Sequence, residues 1–236
     1  MIQLMRMIGI LSLVVLAGAL LMVVLGSFQF NPKKLVPAET GGFGAPVMAM
    51  EFVETTRQVA AILDKNNSQN RGAMRTQIYI DFVWILSYWL LFLAISYLLS
   101  DRNCPWAFYL AAVAAVSASG AAAFDVWENL GMLSVVNNAA ITQEQLSALH
   151  IRDAAVVKWT LVFVSMAILA TAFYGLHEKL TRIGFFFTLT ALVGFISLFY
   201  KPLLGILVPL PLLIGLVILA FTSLRSPKLF YEERFA

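Results

Sequence analysis

The stretch WAFYLAAVAAVSASGAAAFDVWEN, residues 106–129, decides how the rest of the chain is read. From Trp106 to Phe124 it contains no charged side chain. As a helix rising about 1.5 Å per residue, such a segment matches the roughly 30 Å hydrocarbon thickness of a bilayer. Asp125, Glu128 and Asn129 follow at i, i+3 and i+4 and share one helix face. Followed backwards, that face carries Ala122, Ala121, Ala118, Ala114 and Ala111. A stripe of small residues lets membrane helices approach closely, so this face is expected to point into a bundle and to carry the acids with it.

Working outward, five further apolar stretches have comparable length: Ile8 to Gly26, Phe82 to Leu99, Ala154 to Tyr174, Ile183 to Tyr200 and Leu203 to Leu224. Composition agrees, with 61% hydrophobic and 12% charged residues, against about a quarter charged in soluble domains. The expected fold is all-α: a polytopic integral membrane protein of about six transmembrane helices, forming a single domain over residues 1–236. The first span follows Arg6 and has no convincing small-x-small cleavage site before Pro32, so it reads as an uncleaved signal anchor. Pro209 and Pro211 predict a kink or local unwinding in the last span.

Short-loop positive charge sets orientation. One side collects Arg6, Arg102, Lys179, Arg182, Arg225, Lys228 and Arg234, and the other Arg152 and Lys201 beside the acidic Asp125, Glu128, Glu144 and Asp153. Both termini are therefore expected to be cytoplasmic, in a cell (inner or plasma) membrane. The long segment between the first two spans opens with the turn formers Pro32, Pro37, Gly41, Gly42 and Gly44. From Pro46 to Lys65, Met48, Phe52, Val59, Ile62 and Leu63 fall on one face opposite Glu54, Arg57 and Asp64, which predicts an amphipathic extramembrane helix. It serves either as a cap on the bundle or as a lid over a site. Before the fourth span Thr142 and Gln145 make a capping box, and a continuous helix from Gln143 to Tyr174 is expected to carry both His150 and Lys158.

Ionisable residues inside spans are costly and are functional candidates by default. Asp81 opens the second span, Asp125 and Glu128 close the third, and Lys158 lies early in the fourth. Because consecutive spans are antiparallel, these positions converge on one side, whichever side that is. Glu51, on the margin of the amphipathic helix, belongs there too, and Tyr88 is aligned with Asp81 two turns deeper. Lys158 shares its face with Ile151, Ala154, Ala155, Val162 and Ser165 and is expected to look inward, held by Asp125 or Glu128. The candidate binding residues are thus Glu51, Asp81, Tyr88, Asp125, Glu128, Asn129 and Lys158, with Asp125, Glu128 and Lys158 also candidates for catalysis.

The charge ratio leaves two readings open. One is an ion-pair network that ties spans together in an accessory or assembly subunit. The other is a site for a cation, lipid headgroup or small polar ligand, in a membrane enzyme or carrier, because closely placed carboxylates do not all stay ionised without a cation or a proton. If a metal binds, Asp81, Asp125, Glu128 and His150 are the candidate ligands, and such oxygen-rich sets suit a hard divalent cation. The single Cys104 excludes a thiolate metal site, and His150 and His177 lie at opposite ends of one span, so no haem is expected. Nothing resembles a P-loop, a dinucleotide fingerprint or a nucleophile elbow, so no nucleotide or NAD is expected. The net charge of +3 forms no dense basic stripe, so nucleic acid is not an expected partner, whereas membrane lipid, other membrane subunits or further copies of the chain are.

Overall fold

The computed structural model describes residues 2–29, 43, 45–63, 68–101, 105–138, 140–174, 178–200, 204 and 207–230. Expectations placed on Pro32, Pro37, Gly41, Gly42, Gly44, Asp64, Lys65, Arg102, Cys104, His177, Lys201, Leu203 and Arg234 lie outside the described residues. The described residues form helices α1 (Ile2–Gln29), α2 (Pro46–Glu51), α3 (Thr56–Leu63), α4 (Ser68–Ser100), α5 (Pro105–Asn137), α6 (Gln143–Ala148), α7 (Ile151–Ala170), α8 (Glu178–Phe199) and α9 (Pro209–Arg225). A 3-10 turn follows at Pro227–Phe230, and no strand occurs among the described residues.

Five segments are long and apolar enough to cross a membrane: Ile2–Leu25, Gln69–Ser100, Trp106–Asn137, Gln143–Ala170 and Leu180–Phe199. This is consistent with a helical membrane bundle, as is the outward exposure of Trp106, Phe108, Tyr109, Val113 and Val116 on α5 and of Leu192 and Ile196 on α8. Apolar patches of that extent are costly in water and ordinary in lipid.

The chain divides into two compact units: Met1–Ala17, Leu86–Ala122 and Trp159–Ala236 in the first, Gly18–Ile85 and Ala123–Lys158 in the second. In the first, helices meet where side chains are smallest. A Cβ added at Gly194 would collide with the Phe163 ring, and one added at Gly215 would lie 3.1 Å from Phe186 and 3.2 Å from Phe187. Ala111, Ala114, Ala118 and Ala121 are all buried, so the small-residue face of α5 does point inward. Trp89 donates its indole N–H to the Ser119 hydroxyl at 3.0 Å.

In the second unit α2 and α3 lie over residues whose burial follows the predicted face, with Phe52, Val59, Ile62 and Leu63 buried and Glu54 and Arg57 exposed. The predicted single helix is however two. Thr55 caps α3 by accepting from the Gln58 backbone N–H at 3.2 Å, while Gln58 Oε1 accepts from the Thr55 and Glu54 N–H groups at 3.0 and 2.7 Å. This capping box starts a new helix and leaves Phe52 to Thr55 as the turn between.

The capping box expected at Thr142 and Gln145 is present, but the helix it starts is not continuous. It stops at Ala148, and α7 restarts at Ile151 after His150, whose φ of 49° is left-handed. There the Leu149 and His150 N–H groups turn back onto the Leu146 and Ser147 carbonyls. Pro209 stands at the start of α9, where its missing N–H is no loss, and the backbone at Leu207 and Val208 just before it is a turn rather than helix. With 17 residues α9 reaches only about 26 Å, short of the hydrocarbon thickness.

Two measurements check these features. Reporters placed near Ser68 and after Ala236 are expected on opposite sides of the membrane if α9 crosses, and on the same side if it does not. His150→Gly is expected to stay within about 1 kcal/mol of wild type, whereas His150→Val costs about 1–2 kcal/mol, because a β-branched residue tolerates the left-handed conformation poorly. Equal melting temperatures for the two variants would contradict the left-handed corner.

Candidate functional site

The charged residues of the second unit form two layers. The inner layer is centred on Lys158, which sits in the second turn of α7 among Ile151, Ala154 and Ala155, all buried. Its ammonium lies 2.8 Å from Glu128 Oε2, 3.2 Å from Asp125 Oδ1 and 3.2 Å from Glu51 Oε2. An ammonium carries three donors, and here three carboxylates from α5 and α2 surround it. All four side chains are at least nine-tenths buried, Glu128 completely.

Local geometry explains the convergence. Asp125, Glu128 and Asn129 share one face of α5 as predicted, but they do not close the helix, which runs on to Asn137. The extra turns matter, because Arg71 of α4 donates to the Val136 carbonyl at 2.7 Å and Arg75 to Asn137 Oδ1 at 2.8 Å. These bonds bring the start of α4, and with it Asp81, alongside the acidic part of α5. Asn129 then donates its amide N–H to Asp81 Oδ2 at 2.7 Å. Asp81 is half-buried, the most accessible acid touching the cluster.

Two acceptors in this layer have no donor. Glu128 Oε1 and Asn129 Oδ1 are buried and accept no hydrogen bond from any described residue. Such atoms carry a desolvation cost of about 1–3 kcal/mol each unless a donor reaches them.

The outer layer holds α2 and α3 down. Glu54 pairs with Arg152 at 2.7 Å, both half-exposed, and Gln143 bridges the same turn by donating to the Glu54 carbonyl at 2.7 Å and accepting from the Thr56 N–H at 3.0 Å. Glu51 and Glu54 thus point one into the cluster and one to the surface from a single short turn. Sequence reading missed Glu54, Arg152 and Gln143 as a clasp, and the Thr-x-x-Gln pattern at Thr55 was the signal that locates it.

No family model, curated protein or solved structure matches the chain. The chemistry of the site therefore rests on its own geometry.

Of the candidate residues, Glu51, Asp81, Asp125, Glu128, Asn129 and Lys158 come together. Tyr88 lies in the first unit, where its ring packs on Phe92 with centroids 5.8 Å apart. His150 stands apart from the cluster, exposed and 3.0 Å from Asp153 Oδ2, because the left-handed corner turns it away from the buried face of α7. Among the described residues no group of three or more His, Cys, Asp or Glu is arranged to hold a metal ion. The Lys158 ammonium stands among the carboxylates that were the candidate ligands for a metal. A groove of about 470 Å³, lined by Val126, Trp127, Leu130 and Ser134 of α5 with Ala148 and Leu149, lies on the face of α5 turned away from Asp125 and Glu128 and does not open on the cluster.

Lysine at the centre of a membrane helix costs about 2.5–3.5 kcal/mol, which its partners must offset. Lys158→Met, which leaves the crowded acids without their counter-charge, is expected to destabilise the protein by about 3–5 kcal/mol. The double variant Lys158→Met with Glu128→Gln is expected to recover part of that loss, read as thermal unfolding in detergent. Simple additivity of the two single changes would show that Lys158 and Glu128 are not coupled.

Proposed function

We propose that this chain is a multi-pass protein of the cell membrane that binds a small cationic ligand, or the cationic part of a lipid headgroup, at the Glu51, Asp81, Asp125 and Glu128 cluster, with Lys158 as internal counter-charge. The observation that carries this reading is the imbalance of the inner layer. Three carboxylates share one ammonium, a fourth is adjacent through Asn129, and Glu128 Oε1 and Asn129 Oδ1 accept no hydrogen bond among the described residues. A purely structural network gains most when its charges cancel and every lone pair is used. This one sets four carboxyl groups against one ammonium, an imbalance that a bound cation would relieve.

Glu51 reaches the cluster from a helix of six residues that is packed by its own buried Ala49 and Met50 and clasped on the outside by a half-exposed ion pair and two glutamine hydrogen bonds. The distribution of basic residues supports a cytoplasmic position for both termini, with the cluster on the extracytoplasmic side.

One observation favours a second reading, an assembly subunit with a structural network: Glu51, Asp125, Glu128 and Lys158 are closed off by burial, and the groove beside them faces elsewhere. Native mass spectrometry of the purified protein separates the two. A retained small adduct that falls at least tenfold in occupancy in Glu51→Gln is the expected result. A bare wild-type chain that copurifies with another membrane protein, and keeps that partner in Glu51→Gln, would establish the assembly subunit instead.

A further inference from the structure

We propose that the groove on the outer face of α5 holds one acyl chain of a membrane phospholipid, drawn up past the hydrocarbon boundary. The inference is independent of the charge cluster, which occupies another face of the same helix.

The first argument is length. The apolar stretch of α5, Trp106–Asn137, has 32 residues and as a helix is about 48 Å long, against about 30 Å of hydrocarbon. Fitting all of it into the core needs a tilt of about 50°, beyond the roughly 0–40° that spans adopt. The excess lies at the C-terminal end. Trp106 to Phe124 carries no charge, whereas Asp125, Glu128 and Asn129 follow, and Arg71 and Arg75 fasten the last turn at Val136 and Asn137. A core that begins at Trp106 ends about 20 residues on, near Val126. The groove, lined by α5 residues from Ala123 to Ser134, therefore starts at the boundary and stands above it.

The second argument is continuity of exposure. Val116, Ala123, Trp127 and Leu130, at steps of seven, four and three residues, share one exposed face of α5. Trp127 and Leu130 are 54% and 55% exposed, as open as Val113 at 51%, which lies well inside the hydrocarbon stretch. Apolar surface left that open beyond the core is costly unless it is covered. The nearest apolar material is the lipid that faces the lower part of the same helix.

The third argument is shape and chemistry. Gly131 lets the corner between α6 and α7 come against α5, where an added Cβ would lie 2.7 Å from Ile151 and 3.7 Å from Leu149, so Ala148 and Leu149 form a second wall. Trp127 makes an aromatic side, stacked on Phe124 with centroids 6.2 Å apart. From Ala123 to Ser134 the groove runs about 17 Å, and one leaflet's share of the core is about 15 Å. Its volume of about 470 Å³ over that length averages about 6 Å across, room for one extended hydrocarbon chain and too narrow for a helix of about 10–12 Å. The one polar side chain in the lining is Ser134, whose hydroxyl donates to the Leu130 carbonyl at 3.1 Å. An extended peptide would leave its backbone polar groups without partners there, a cost that an alkyl chain does not carry.

The test uses the full-length wild-type chain in nanodiscs of phosphatidylcholine, doped with phosphatidylcholine that carries a diazirine at the methyl end of one acyl chain. Ultraviolet cross-linking is followed by peptide mass spectrometry. Chain ends of ordinary surrounding lipid lie at mid-core and label Val113 and Val116. The expected result is additional labelling of Trp127 to Ser134, or of Ala148 and Leu149, with a yield within tenfold of that at Val113 and Val116. A groove yield more than tenfold lower is what chance excursions of chain ends produce and would overturn the proposal. Ala123→Phe with Ala148→Phe fills the groove from two exposed positions. It is expected to reduce the groove adducts at least tenfold while those at Val113 and Val116 stay, which also reports that the variant has folded. Groove adducts that survive both substitutions would equally overturn the proposal, and a copurified membrane protein that must be removed before the groove is labelled would assign the groove to that protein instead.

Discussion

Lys158 cannot be placed on the inward face of α7 unless acids are already arranged around it. The three that meet it come from α5 and from the short α2, so the ammonium ties together elements far apart in the chain and drawn from different kinds of structure. The requirement propagates outward. Glu51 must be pinned near α7, which needs the Thr55 and Gln58 capping box to end one helix and start another. The turn so formed must in turn be held by Arg152 and Gln143. Asp81 is kept in range by the two arginines that fasten α4 to the last turns of α5.

The apolar spans were legible because hydrocarbon thickness and helix rise leave few alternatives for long uncharged stretches. The inward acids were legible for a related reason: the i, i+3, i+4 spacing of Asp125, Glu128 and Asn129 continues an alanine stripe, and the two signals agree on one face. Lys158 was placed inward by its apolar neighbours in the same way. Where the reading departed from the structure, a short-range backbone preference had been overruled or overlooked. The Thr55 box competed with a good amphipathic pattern running straight through it, and the pattern alone is blind to a break that leaves the same residues buried. The corner at His150 has no Gly or Asn to announce it, since a histidine adopts a left-handed φ there.

The order of residues along the chain has a consequence for how the protein is made. Glu51, Asp81, Asp125 and Glu128 all precede Lys158, so a ribosome delivers every acid before the one base that neutralises them. During that interval α5 enters the membrane with its carboxylates uncompensated, and domains generally consolidate as units during synthesis. The second unit therefore completes its buried ion pairs only once α7 has emerged, with the lysine the last piece to arrive.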